Sequence, residues 1–296
     1  MYLTGFADEA ASSIEGQIKA TQELGWGNIE ARTINGTQIH DVSEAEFDDV
    51  VGKLEEAGIK INCFGSAVAN WSKRIDEPFE SSLAQARRAI PRMQKLGTRL
   101  IRIMSFAVRQ ERKPDDQMEQ ERFRRLRELV QMFTDAGITA VHENCMNYGG
   151  MSYQHTLKLL DNVPGLKLVF DTGNPVLNAD RSQPKPYPRQ SSWEFYRNVK
   201  GHVVYVHIKD ARWDDDKQEA VYTFAGEGDG DVYRIVKDLL AGGYDGGFSM
   251  EPHLAVVFHD ESVTASKNIK LASYVEYGRR FEKLLRQVRQ ELALDH

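Results

Sequence analysis

The segment GLKLVFDTGNP, residues 165–175, contains the pattern that recurs along this chain and decides its fold. Gly165 precedes a short apolar run, and the carboxylate of Asp171 ends that run just before turn-forming residues. Glycine suits the left-handed conformation that ends a helix, and the apolar run suits a strand buried on both faces. A buried carboxylate without a partner is unfavourable. The segment therefore predicts a helix end, a buried strand and a partner for Asp171 at the end of that strand.

A glycine followed within a few residues by an apolar run occurs seven times. These glycines are Gly25, Gly58, Gly97, Gly137, Gly165, Gly201 and Gly243. Each interval between them holds about one strand and one helix. With an opening strand, the pattern predicts eight parallel strands that alternate with helices, which is typical of a closed α/β barrel, the (β/α)8 or TIM barrel. An open doubly wound sheet is the alternative, but no G-x-G-x-x-G motif follows the first strand.

The same pattern gives approximate positions for the elements. Strands are predicted near residues 3–7, 28–32, 59–65, 99–105, 138–144, 166–172, 203–209 and 246–252, with a C-terminal helix near 265–292. We predict that residues 1–296 form one domain, because barrels of this kind reach this length as a single unit. The stretch ADRSQPKPYPRQSS is predicted to be a stiff loop within one strand–helix connection. GEGDGD, at 226–231, lacks the features of a phosphate or calcium loop and is predicted to be a turn before a helix.

Composition narrows the classes of protein that the chain can belong to. Hydrophobic residues make up 41% and charged residues 28%, a balance typical of a globular protein with a large core. The net charge of -6 argues against nucleic-acid binding. The two cysteines, Cys63 and Cys145, show no pattern of a disulfide framework or zinc site. Because no signal peptide or long apolar run is apparent, we expect a cytoplasmic protein without membrane association.

Four consecutive strands are predicted to end in side chains that can bind a metal. They are Glu143, Asp171, His207 and Glu251. Each has an ordinary explanation alone, such as a helix cap, a core histidine or a salt bridge. Their coincidence at one level of successive strands instead favours one divalent cation, because the C-terminal strand ends of a barrel converge on its active site. We expect Mn²⁺, with Mg²⁺, Co²⁺ and Zn²⁺ as alternatives.

Further polar residues near these strand ends are candidates for binding a substrate. They are His142, Asn144, Lys209, Arg212 and His253. Lys209 and Arg212 suit an oxyanion or carboxylate, although pairing with the acidic run at 214–216 explains them equally well. Trp71 and Trp193 suit either an aromatic wall against a sugar or ordinary packing.

The sequence resembles a known family at its strand ends. HEN at 142–144, DTGN at 171–174, HIKD at 207–210 and EPH at 251–253 are similar to the metal-site strand ends of the xylose-isomerase-like TIM barrels. That superfamily includes ketose 3-epimerases, hydroxypyruvate isomerase, inosose isomerases and dehydratases, and endonuclease IV. The resemblance covers essentially the whole chain, including Glu30, and DTGN with HIKD is closest to the inositol-catabolism and keto-sugar branches.

The resemblance implies a metal site and a reaction. Glu143, Asp171, His207 and Glu251 would bind one divalent metal, with Glu143 and Glu251 as the acid/base pair. Glu30 and Asn174 join the candidate substrate-binding residues. The expected activity is isomerisation or epimerisation of a ketose, inosose or related keto-sugar by proton abstraction α to a carbonyl. The resemblance also implies a homo-oligomer, either a dimer or a tetramer.

Three other functions remain open at this stage. The first is a lyase or dehydratase acting on an inosose or a 3-keto-glycoside, including C-glycoside cleavage with a small partner subunit. The second is a non-catalytic sugar-binding barrel. The third, a nuclease like endonuclease IV, is least favoured, because the net charge is negative and Asn174 stands where that enzyme and the ketose 3-epimerases have a histidine.

Overall fold

Eight short strands form one parallel sheet in a computed structural model that describes residues 1–256 and 265–294. The strands are β1 (Tyr2–Gly5), β2 (Asn28–Ala31), β3 (Lys60–Phe64), β4 (Leu100–Ile103), β5 (Thr139–Glu143), β6 (Lys167–Asp171), β7 (Val203–Ile208) and β8 (Gly247–Met250). Each overlaps its predicted position. Residues 257–264 and 295–296, which belong to the predicted domain, lie outside the described residues.

The strand order shows that the sheet curls into a nearly closed barrel. Neighbouring strands follow the order β1–β8–β7–β6–β5–β4–β3–β2, and β1 and β2 at the ends of this order lie next to each other. All pairs along the sheet are parallel. The predicted α/β barrel is therefore confirmed.

Nine helices are described. They are α1 (Ile14–Glu23), α2 (Glu44–Ala57), α3 (Glu80–Leu96), α4 (Glu119–Asp135), α5 (Tyr153–Asn162), α6 (Asn174–Leu177), α7 (Ser192–Val199), α8 (Val232–Ala241) and α9 (Lys267–Glu291). No helix in the described ranges is both long and apolar enough to span a membrane. α9 packs on the barrel through buried residues that include Tyr274, Tyr277, Phe281 and Leu285.

The helix ends follow the glycine pattern, with one exception. Gly58 and Gly97 end α2 and α3 in the left-handed conformation, with φ of 66° and 69°, and their backbone N–H groups bond back to the preceding turn. Gly201 differs, because it lies in the short 3-10 turn Lys200–His202. At that junction the chain therefore reaches β7 without a left-handed glycine.

Alternation along each strand separates the barrel interior from the helix layer. Phe170 points outward and packs against Phe195 and Tyr196 of α7. Val141 and Val169 instead pack inside with Tyr205. Glu143 lies two residues after Val141, and Asp171 lies two residues after Val169. Side chains two residues apart on a strand point to the same face, so both carboxylates also face the barrel axis.

Two antiparallel ribbons extend from the strand ends. One pairs Thr33–Ile34 with Thr37–Gln38 after β2, and the other, called the β7 ribbon here, pairs Asp210–Asp214 with Glu219–Thr223. The GEGDGD sequence anchors the β7 ribbon, because the backbone N–H groups of Gly226, Gly228 and Gly230 donate to the Asp210 carboxylate at 2.8–3.0 Å. The predicted turn before a helix is found, since α8 follows it directly.

Candidate active site

The four predicted metal ligands converge at the C-terminal end of the barrel. Glu143 and Asp171 are the last residues of β5 and β6, His207 lies near the end of β7, and Glu251 directly follows β8. One ligand atom from each residue lies within 4.8 Å of the others. All four residues are buried, with exposed fractions of 0–4%. Convergence of this kind follows from the shear and closure of the barrel, which bring successive strand ends to one level.

Two buried atoms of this cluster have no hydrogen-bond partner among the described residues. They are His207 Nδ1 and Asp171 Oδ2, which lie 4.0 Å apart. Asp171 Oδ2 lies 2.9 Å from Lys209 Nζ but forms an ion pair rather than a directed hydrogen bond. Buried polar atoms normally have partners. A divalent cation with carboxylate and imidazole ligands would satisfy both atoms, so the residues present fit such an ion.

Glu30 orients the imidazole of His207. The His207 Nε2 atom lies 3.1 and 3.2 Å from the two Glu30 oxygens, which leaves Nδ1 facing the cluster. Tyr205 donates to Glu30 at 2.8 Å. Burial opposes protonation of His207, but the Glu30 and Glu143 carboxylates outweigh it and raise its pKa to about 10. Glu30 was predicted to bind substrate. Instead it is fully buried beneath His207 and contacts this candidate metal ligand from behind.

Three cations surround the carboxylates. Arg102 donates to Glu143 at 3.0 Å, Arg32 donates to Glu251 at 3.1 Å, and Lys209 donates to Glu251 at 2.9 Å. Sequence reasoning missed Arg32 and Arg102. The sequence did contain a signal for both: Arg102 lies within the apolar strand LIRI, and Arg32 directly follows the strand NIEA. A buried cation at either position would be unfavourable without a carboxylate partner.

The carboxylates differ in how easily they are protonated. Burial alone would raise the pKa of Glu143, but Arg102 and His207 lower it to about 2. Burial likewise opposes ionisation of Glu251, yet Lys209 and neighbouring cations hold its pKa well below the usual range. Burial and the charges of Glu251 and Glu143 raise the pKa of Asp171 to about 6. Lys209 opposes this rise, so the two glutamates are held ionised and Asp171 is the most readily protonated of the three carboxylates.

A cavity of ≈ 410 Å³ opens above the cluster. Its inner wall is polar and includes Glu143 and Glu251, whereas its mouth is aromatic, with Trp71, Trp213 and Tyr222. Trp213 and Tyr222 belong to the β7 ribbon. A polar floor under apolar walls is typical of a small-molecule site.

Three predicted substrate-binding residues line this cavity. They are Asn174, Lys209 and His253. Asn174 Nδ2 donates to Glu143 at 3.0 Å. His253 has a left-handed backbone, with φ of 53°, and its Nδ1 atom lies 3.0 Å from Glu9 Oε1. A non-glycine residue in this conformation is held there by its surroundings, which is common at binding sites.

Other predicted binding residues lie elsewhere. His142 points outward from β5, where its Nε2 contacts Ser105 and Asn147, because alternation turns it away from Glu143. Asn144 joins two strands through the backbone of Asp171.

The structure corrects the binding role predicted for Arg212 and gives Trp193 the packing role that was one of its two predicted alternatives. Arg212 is exposed and donates to the backbone oxygen of Glu227, since the β7 ribbon turns it outward. Trp193 packs on Tyr196 and beneath Arg234, which places it in the outer helix layer. Neither residue lines the cavity.

The fold and this cluster define an α/β barrel with a candidate metal centre at the C-terminal ends of its strands. The model of the xylose isomerase-like TIM barrel family matches residues 18–270. The chain therefore belongs to the xylose isomerase-like TIM barrel family. No curated protein matches the sequence.

Solved structures of similar fold cover almost the whole chain. A D-tagatose 3-epimerase-like protein is 15% identical, with a TM-score of 0.71 and coverage of 99% of this chain and 100% of the other. A xylose isomerase-like protein from Mycobacterium smegmatis, in complex with magnesium, is 16% identical, with a TM-score of 0.68 and coverage of 96% and 97%. A probable 3-DHS dehydratase from Bacillus anthracis is 16% identical, with a TM-score of 0.65 and coverage of 92% and 97%. At these identities the similarity establishes the fold.

Proposed function

We propose that this protein is a divalent-metal-dependent isomerase or epimerase that acts on a ketose, an inosose or a related keto-sugar by moving a proton α to its carbonyl. The observation that carries the proposal is the cluster of Glu143, Asp171, His207 and Glu251, whose ligand atoms converge under an open cavity. Two of these ligands, Glu143 and Glu251, also line that cavity. The same carboxylates are thus within reach of both the cation and a bound sugar.

The two glutamates are suited to proton transfer. A divalent cation bound by the cluster supplies Lewis-acid polarisation of a carbonyl. Glu143 and Glu251 lie on strands that β6 and β7 separate, so they approach a ligand from different sides. Arg102 and Arg32 keep them ionised, which leaves each able to take a proton from carbon and return it. Transfer on two faces permits epimerisation.

Neighbouring side chains would orient the substrate. Asn174, Lys209 and His253 place amide, ammonium and imidazole groups along the inner wall, where they can bind hydroxyl groups. Trp71, Trp213 and Tyr222 would pack on the apolar face of a sugar and exclude water. We propose Mn²⁺ as the cation, with Mg²⁺, Co²⁺ or Zn²⁺ as alternatives, because three carboxylates and one imidazole accept each of them. The mycobacterial structure of similar fold is a complex with magnesium, which supports the choice of a divalent cation.

A lyase is the second candidate. Lys209 and His253 line the cavity beside Glu251, so positive or hydrogen-bonding groups lie where a departing oxygen would need them. The same first proton abstraction would then lead to loss of a β-hydroxyl or β-linked group. The similarity in fold to a probable dehydratase is compatible with this alternative.

The test is solvent proton exchange. Protein loaded with Mn²⁺ is incubated in D₂O with ketoses, inososes and 3-keto-glycosides, and products are followed by NMR and mass spectrometry. We expect deuterium to enter carbon, and Glu251→Gln to lower the rate at least about 100-fold. Glu194→Gln, an exposed change on α7, is the matched control. Release of water or an aglycone would assign a lyase, and no exchange from a metal-loaded protein would overturn both candidates.

A homo-oligomer, which the family resemblance implies, is proposed as the form of the protein in solution. Light scattering after size exclusion would measure it.

A further inference from the structure

A second cavity adjoins the first. It has a volume of ≈ 200 Å³. Cys145, Met146, Leu177 and Asn178 line both cavities and form the wall between them. A ligand whose reacting carbons lie at Glu143 and Glu251 therefore has room to extend past this wall.

Two arginines of the 178–190 loop line this second cavity, and their partners are neutral. Arg181 donates to the Gln110 side chain and lies over the ring of Tyr187. Arg189 donates to the backbone oxygen of Leu177, and its guanidinium carbon lies 3.3 Å from the centre of the Trp213 ring. Within residues 1–256 and 265–294, neither forms an ion pair with a carboxylate, and Asp215 acts on Arg189 only at longer range.

The cations of the larger cavity differ in this respect. Arg32 and Lys209 are each paired with Glu251, and Arg102 is paired with Glu143. Their charge is therefore neutralised within the protein. Arg181 is half-buried and Arg189 is exposed, and the partial burial of each guanidinium lowers its pKa, while neither gains a carboxylate counter-ion among the described residues.

A third donor lies at the wall between the cavities. The Nδ2 atom of Asn178 is buried and has no acceptor among the described residues. Asn178 lines both cavities. An amide donor without a partner beside two arginines without carboxylates is a set that recognises an anion, because all three supply N–H groups and none supplies negative charge.

We propose that the second cavity is a subsite for an anionic group, a phosphate or a carboxylate, carried by the substrate away from its reacting carbons. The inference rests on the proposed function for the placement of the sugar ring, and it narrows the substrate class to keto-sugars with a negative charge at the distal end. Arg181 and Arg189 bind the anion oxygens, and Asn178 orients the group at the wall.

The test compares charged and neutral sugars by calorimetry on the Mn²⁺-loaded protein. The pairs are D-fructose 6-phosphate against D-fructose, and D-fructuronate against D-fructose, so every probe is a keto-sugar. We expect at least one charged sugar to bind about tenfold or more tightly than its neutral counterpart, because charge-assisted hydrogen bonds are lost without the anion. The pair with the larger ratio identifies phosphate or carboxylate.

Variants test whether the two arginines cause the higher affinity for the charged sugar. In the Arg181→Gln/Arg189→Gln double variant, the ratio of the affinities for charged and neutral sugar should fall toward one. In Arg197→Gln, an exposed control on α7, the same ratio should persist. The single variants replace the double variant if it does not fold. Equal affinities for charged and neutral sugars in the unmodified protein, or an advantage that survives the loss of both arginines, would overturn the proposal. Because binding is measured without turnover, a protein that discriminates but exchanges no deuterium would retain the subsite and lose the proposed reaction.

Discussion

At the scale of single residues, Glu30 determines how His207 can act. It lies behind the imidazole and contacts Nε2 with both oxygens. We predict that Glu30→Gln lowers the affinity for Mn²⁺ about 10–100-fold, because an amide no longer fixes the ring and its basicity as a carboxylate does. Titration calorimetry with Mn²⁺ measures the change. An affinity equal to that of the Glu194→Gln control would show that Glu30 has no part in metal binding.

Residue patterns identified the candidate metal ligands but not the residues that pair with them or orient them. Glu143, Asp171 and Glu251 could be predicted from the sequence, because a charged residue at the end of an apolar strand is unfavourable unless it has a partner. Arg102 was missed and Glu30 was predicted to bind substrate, since their partners lie on other strands and become neighbours only when the barrel closes. His142 was predicted to bind substrate because it precedes Glu143 in the sequence. Successive residues of a strand point to opposite faces, so this neighbour faces away from the cavity.

His40 should make stability depend on pH. It is fully buried, and burial lowers its pKa to about 4 from an ordinary value of 6.5. Its neutral form is therefore favoured in the folded state, so the unfolded chain binds the proton more readily between these values. The stability that it contributes is complete above pH 6.5 and is lost as the pH falls toward 4, by up to about 3 kcal/mol.

Denaturant unfolding across pH 4 to 7 measures this dependence. The slope should be smaller in His40→Gln, whatever the effect of the substitution on stability at neutral pH. Identical slopes in the two proteins would mean that His40 is protonated equally in the folded and unfolded states.

At the scale of elements, the anchoring of the β7 ribbon determines whether Trp213 and Tyr222 cover the cavity. A Cβ added at Gly228 would lie 2.3 Å from the Asp210 carboxylate and 2.7 Å from the backbone oxygen of Ala211. Gly228→Ala should therefore displace the ribbon, destabilise the protein by about 1–3 kcal/mol and raise KM. Gly201→Ala is the control, because an added Cβ there meets nothing within 4 Å. Equal unfolding midpoints and equal KM values for the two variants would contradict the anchoring role.

The barrel elements were more predictable than the additions to it. Glycines at helix ends and apolar runs recur with the strand–helix unit, so each barrel strand lies close to its predicted position. The two ribbons were not predicted, because their short strands have no such repeat and exist by pairing with each other. The 3-10 turn at Gly201 was not predicted either, because a glycine before an apolar run looks the same in sequence whether it ends a helix or lies in such a turn.

At the scale of the whole molecule, a cation at this centre would join four successive strands. Candidate ligands from β5, β6, β7 and the end of β8 meet there. We predict that Mn²⁺ at about 100 times its Kd raises the thermal midpoint by about 4 °C relative to protein treated with EDTA, since binding to the folded state alone contributes about 2.7 kcal/mol.

Asp171→Asn is the control for this measurement. It weakens the cluster, so most of the shift caused by Mn²⁺ should disappear. The same shift in both proteins would place the cation at some other site and remove the structural basis of the proposed reaction.

The stacking of Arg189 on Trp213 also gives the molecule an optical reporter. The chain has four tryptophans, and Trp213 is in contact with a guanidinium that faces one cavity while its indole faces the other. An anion that draws Arg189 away would change the polarity around this indole. Fluorescence emission could then follow ligand entry in real time, with Trp213→Phe as the reference that isolates the signal of Trp71 at the same cavity, so substrates could be screened before any product is known.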